Sequence, residues 1–119
     1  MASVLVIDDE PAIRKVVASA LATMGCSETY LAGDAESALE VIERKRPDLV
    51  ISDVKLPGMS GVELAHRVKS DRRLSGTPVL LMSAFGEPAR HEADGFIAKP
   101  FNIDDFAEFV DPYSHKRQD

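Results

Sequence analysis

Asp53 closes an apolar run, Leu49-Val50-Ile51-Ser52, and Asp8-Asp9 closes another, Val4-Leu5-Val6-Ile7. Three acids delivered by the ends of two buried strands form a pocket in which carboxylates repel. Without a counter-charge at least one of them would hold its proton. A hard divalent cation removes that repulsion, and magnesium takes oxygen ligands, uses few carboxylates and keeps several waters. Two more polar residues end apolar runs: Ser83 after Val79-Leu80-Leu81-Met82, and Lys99 after Gly95-Phe96-Ile97-Ala98. An ammonium can hold one phosphoryl oxygen and a hydroxyl can donate to another. A carboxylate oxygen of Asp53 could then attack a phosphoryl group whose charge is spread over the cation and the lysine. The set points to phosphoryl chemistry on an aspartate side chain.

Such a pocket needs strands that end together. Runs at about 3–7, 29–32, 49–52, 78–82 and 95–98 alternate with helical spacing. Pro11 suits a first helical turn, and Ile13, Val16, Val17, Ala20, Leu21 and Met24 follow with a 3.6-residue period up to Gly25, a C-terminal cap. Asp34 caps a second helix, with Ala35, Ala38, Leu39 and Ile42 inward, and Pro47 lies past its end. Ser60-Gly61-Val62-Glu63 reads as a capping box for a helix through Val68. Asn102 caps a last helix, with Ile103, Phe106, Ala107 and Val110 inward, which Pro112 should stop. Alternating strands and helices mean a parallel sheet covered on both faces, and the continuous apolar runs suit strands buried on both sides. Ligands of such sheets sit beyond the carboxyl ends of the strands, where Asp8, Asp9, Asp53, Ser83 and Lys99 all fall.

The chain has 119 residues, enough for one domain, which we place at 1–112 with a polar tail at 113–119. Its 20 acids and 14 bases give a net charge of −6, so contact with nucleic acid would require a local basic patch. The basic clusters Arg44-Lys45-Arg46 and Lys69, Arg72, Arg73 lie near helix C-termini, where the dipole and a solvated face account for them. Cys26 is the single cysteine, so no internal disulfide forms, and nothing has zinc-ligand spacing. His66, His91 and His115 are scattered and read as surface residues. No signal peptide and no apolar run long enough to span a bilayer is seen, and the expected location is the cytoplasm, with no membrane partner.

The segments Val6-Ile7-Asp8-Asp9-Glu10-Pro11, Asp53-Val54-Lys55-Leu56-Pro57-Gly58-Met59-Ser60-Gly61, Ser83-Ala84 and Lys99-Pro100-Phe101 follow one another in an order that resembles the response-regulator receiver domain, of the stand-alone kind. The resemblance covers nearly the whole chain. It implies a flavodoxin-like α/β/α fold with a five-stranded parallel sheet in the order 2-1-3-4-5. It implies that Asp53 takes a phosphoryl group from a phosphohistidine on a histidine kinase or histidine phosphotransfer protein, in a two-component system or phosphorelay. Asp9, Asp53 and the Lys55 carbonyl would ligate Mg2+ (or Mn2+), with Asp8 acting through a water. Ser83 and Lys99 would contact the phosphoryl oxygens, and the Lys99–Pro100 bond would be cis. Phe96 occupies the position of an aromatic that turns inward on phosphorylation, although a core phenylalanine explains it equally. Lys55 and Phe85 would border the path of hydrolytic water.

One stretch departs from the family. Only Ala84 to Gly95 separate the fourth and fifth strands, and Ala89 to Asp94 are almost entirely polar, so the fourth helix of the family should be a single short turn or an irregular loop. Two other functions stay open. A phosphorylation-independent binding module would keep the fold and lose the switch, and the short fourth-helix region is what favours it. A haloacid-dehalogenase-like hydrolase would also use an aspartyl phosphate, but that family places an acid two residues after the nucleophile, where this chain has Lys55. The protein is expected to be a monomer that signals to an unidentified protein target and is not itself an enzyme.

Overall fold

The computed structural model describes residues 3–114. Five parallel strands, β1 (Ser3–Ile7), β2 (Glu28–Ala32), β3 (Leu49–Asp53), β4 (Val79–Ser83) and β5 (Gly95–Ala98), lie in the order β2-β1-β3-β4-β5. Four helices accompany them: α1 (Pro11–Thr23), α2 (Ala35–Lys45), α3 (Gly61–Ser70) and α4 (Ile103–Ser114). The flavodoxin-like order is therefore the one the sequence implies.

Period-two alternation divides the strands between two cores. Leu5, Ile7, Val50 and Val79 face α2 and α3, against Ala35, Ala38, Ile42, Leu64, Ala65 and Val68. Val4, Val6, Leu49, Ile51, Leu80 and Met82 face α1 and α4, against Val17, Leu21, Phe106 and Val110. Every residue of β3 and β4 is buried, Asp53 and Ser83 included, because both strands are central and covered on each side.

The helix ends follow local chemistry. The Asp34 carboxylate accepts from the Ser37 amide at 2.7 Å, Ser60 Oγ from the Glu63 amide at 3.1 Å and Asn102 Oδ1 from the Asp105 amide at 2.7 Å. Only the serine half of the expected capping box is present, since the Glu63 carboxylate pairs with Arg67. Gly25, with φ +92°, takes the left-handed position after α1.

Two expectations need correction and a third is met. Pro112 does not stop the last helix, which runs to Ser114. A proline removes one helical donor, and Tyr113 compensates by donating its hydroxyl to the Asp94 carbonyl at 2.8 Å while its ring meets Phe109 edge-on. Residues 115–119, with His115, lie outside the described residues. The connection between β4 and β5 contains no helix and takes the loop form, one of the two expected for it. Its far end is fixed by Asp94, whose amide donates to the Val79 carbonyl (2.7 Å) and whose Oδ2 accepts from the Val79 amide (2.8 Å) and pairs with Lys69 (2.7 Å). His91 is not a surface residue: its side chain is only 12% exposed, Nε2 is bonded to Glu87, and Nδ1 is buried without a partner among the described residues. His66 is exposed as expected and touches Glu92 of the same connection.

α3 approaches β3 most closely at Gly61, where an added Cβ would overlap the Asp53 carbonyl oxygen and come within 3.0 Å of Ser52 Oγ. Both are backbone-bound features of the strand end, since Ser52 Oγ donates to that carbonyl at 2.8 Å. Gly61→Ala should therefore lower stability by about 1–3 kcal/mol, as other overpacked sites do, with a matching fall in the urea midpoint. An unchanged midpoint would show that α3 can back away from Asp53 freely.

Candidate functional site

The carboxyl edge of the sheet collects all the singled-out polar residues. Asp8 and Asp9 follow β1, Asp53 ends β3, Ser83 ends β4 and Lys99 follows β5. The backbone sets these positions: the Asp8 amide donates to the Ala32 carbonyl (3.1 Å), the Val54 amide to Met82 (2.9 Å), the Gly61 amide to Val54 (2.8 Å) and the Lys99 amide to Ser83 (2.9 Å). The Lys99–Pro100 peptide is cis.

Lys99 is the hub. Its Nζ lies 2.7 Å from Asp8 Oδ2 and 3.4 Å from Asp53 Oδ2. Asp8 is fully buried, and its other oxygen accepts from the Glu10 amide at 2.9 Å. Burial raises the Asp53 carboxyl above the ordinary range; Lys99 opposes that shift and the Asp8 charge adds to it. Burial alone would lower Lys99, but its bond to Asp8 and the charges of Asp8 and Asp53 outweigh it and hold the ammonium above its ordinary value.

Asp9, Glu10, Asp53, Lys55, Leu56 and Lys99 line one open cavity of about 490 Å3, with Pro57, Ala84 and Phe85 completing the wall. Among the described residues, Asp8, Asp9 and Glu10 are the acids whose ligand oxygens all lie within 4.8 Å of one another. Asp53 shares the cavity with Asp9 but is not part of that close trio. The donors are all carboxylate oxygens, a set that suits Mg2+ and not a softer metal. Both Asp8 oxygens already accept hydrogen bonds, so Asp9, Glu10 and Asp53 are the acids with the most capacity left for an ion.

Ser83 is 2% exposed, and its Oγ accepts from the Phe85 amide at 2.9 Å, the loop-capping role any serine could play. Its own proton remains free to be donated. Lys55 reaches over the Phe85 ring, with Nζ 5.2 Å from the centroid, and Phe85 is 80% exposed at the cavity mouth. Phe96 is half-buried and belongs to neither core; it pairs in register with Leu81. Glu10 was missed as a site residue, and the signal was there: it is the third acid in a row, at the N-cap of α1, and its side chain makes no capping bond.

Comparison with known proteins identifies the family. The family model for the response regulator receiver domain matches residues 4–111. The chain is 39% identical over 109 residues to the probable transcriptional regulatory protein TcrX of Mycobacterium tuberculosis, covering 87% of this chain but only 45% of TcrX. It is 33% identical to the sporulation initiation phosphotransferase F of Bacillus subtilis, covering 92% and 91% of the two chains. The chemotaxis response regulator CheY4 of Vibrio cholerae superposes with a TM-score of 0.86 at 31% identity, covering 95% of this chain and 98% of that one. Among the described residues no helix is long and apolar enough to cross a membrane.

The raised Asp53 carboxyl gives a pH test. A carboxyl whose folded pKa lies above its unfolded one costs stability once ionised; the cost is absent below the unfolded value and complete above the folded one. In EDTA, Asp53→Asn should be more stable than the parent at pH 7, and the difference should vanish below about pH 4, the ordinary aspartate range. Urea midpoints at the two pH values measure it; a loss at pH 7, or a gain of the same size at both, contradicts the electrostatic account.

Proposed function

The chain belongs to the response-regulator receiver domain family, and on that premise we propose that it is a phospho-acceptor of a two-component system or phosphorelay, modified on Asp53. The observation that carries this reading is one carboxylate, nearly buried, set 3.4 Å from the Lys99 ammonium and opening into the cavity that Asp9 also lines.

An Asp53 oxygen attacks the phosphorus of a phosphohistidine presented by a histidine kinase or histidine phosphotransfer protein. The P–N bond breaks as the P–O bond forms, and the imidazole leaves with the electron pair and takes up a proton from solvent. Lys99 Nζ, already between Asp8 and Asp53, holds a phosphoryl oxygen, and the free Ser83 proton is donated to another. Asp9, Asp53 and the Lys55 carbonyl would hold Mg2+ (or Mn2+), with Asp8 through a water and Glu10 close by. When bound, that ion neutralises charge on the phosphoryl oxygens. Lys55 and Phe85 stand at the mouth, where they would border the path of hydrolytic water, and Phe96 holds the position of the family's switch aromatic.

Receiver domains are signalling modules, and we assign this chain the same role: a cytoplasmic monomer that acts on a protein target. The 33% identity to a sporulation initiation phosphotransferase, over 91% of that protein's length, supports a relay. The transcriptional role of TcrX is not carried over, because the chain spans less than half of that protein. A phosphorylation-independent binding module is favoured only by the missing helix between β4 and β5.

Incubation with acetyl phosphate or phosphoramidate and Mg2+ should add one phosphoryl unit to the intact mass, and Asp53→Asn should abolish the gain. No gain in the parent, or a gain that survives in the variant, overturns the assignment.

A further inference from the structure

Arg14 stands where helix electrostatics would not put it. It lies in the first turn of α1, at the positive end of the helix dipole, where a cation is unfavourable. Its guanidinium reaches back past the helix start, and Nη1 donates to the Asp8 carbonyl at 2.6 Å. Gly33, just after β2, leaves the room: a Cβ there would come within 3.3 Å of Nη1. Every polar atom of Asp8 is thus held. Its amide is bound to Ala32, Oδ1 by the Glu10 amide, Oδ2 by Lys99, and its carbonyl by Arg14.

The carbonyl matters because it belongs to the peptide that joins Asp8 to Asp9. That plane sets the direction in which the Asp9 side chain leaves the backbone. Asp9 is exposed, and among the described residues nothing donates a hydrogen bond to its carboxylate. Its orientation toward Asp8 and Glu10, with ligand oxygens within 4.8 Å, therefore comes from the main chain. We propose that Arg14 is a positioning residue for the cation site, acting through the Asp8–Asp9 peptide and not by contact with the ion. This rests on Asp9 being a metal ligand, as argued above.

The sign of the effect separates positioning from charge. If Arg14 only neutralised nearby acids, removing it would tighten Mg2+ binding. If it positions Asp9, removing it weakens binding. Calorimetric titration of MgCl2 into the full chain should give an affinity about tenfold lower for Arg14→Ala, the lower end for outer partners of metal-site ligands. Arg14→Lys, which keeps a donor on a long stem, should recover most of it. Should the alanine variant fail to fold, Arg14→Met keeps the apolar stem and carries the same test. An affinity that is unchanged or tighter, with only the urea midpoint in EDTA lowered, overturns the proposal and leaves Arg14 a structural residue. Absence of saturable Mg2+ binding by the parent, or parental affinity in Asp9→Asn, instead removes the premise about Asp9.

Discussion

One ammonium group holds the functional edge together. The Asp8 side chain is fully buried, and an unpaired charge in that position would cost several kcal/mol. Lys99 supplies the partner from a residue 91 positions away, at 2.7 Å. The sheet order makes this demanding, because β4 and β3 lie between β5 and β1. The lysine stem spans part of that distance and the Asp8 side chain meets it, and the same ammonium also comes to Asp53. The backbone of Lys99 is in turn fixed to Ser83, so the ends of four strands are tied through one residue. Asp53 and Lys99 each raise the other's preference for charge, while burial works against both.

The strands and most of the helix faces were legible because they depend on local periodicity, but Ile103, expected inward, is 49% exposed. The apolar runs of β1, β3 and β4 are strands buried on both sides, and the caps at Asp34, Ser60 and Asn102 are chemistry within three residues. The convergence of Asp8, Asp53, Ser83 and Lys99 was legible once the strands were known to be parallel, since parallel strands all end on one edge. The family resemblance supplied the strand order, which periodicity alone does not set.

What was not legible depends on side chains reaching across the fold. Arg14 looks like an ordinary helix cation until its guanidinium is found on the Asp8 carbonyl. Glu10 looks like a favourable charge at a helix start until its oxygens are found beside those of Asp8 and Asp9. His91 looks polar and exposed, but the connection between β4 and β5 is too short to hold a helix and folds down, carrying the ring inward. Pro112 looks like a stop signal, and it fails as one because Tyr113 has partners on Phe109 and Asp94 that outweigh a single lost donor.

That connection also changes what covers the sheet. α2 and α3 occupy their face without a third helix beside them, and Ala93 is the residue of the connection that packs against this core. Asp94 is consequently a junction: Lys69 of α3, the Val79 amide of β4 and the Tyr113 hydroxyl of α4 all meet it. Anyone splicing this module into a chimera should place the seam beyond Ser114. A cut at the proline looks natural on paper, yet it would unfasten the entry to the fifth strand, and with it the lysine on which the acidic edge relies.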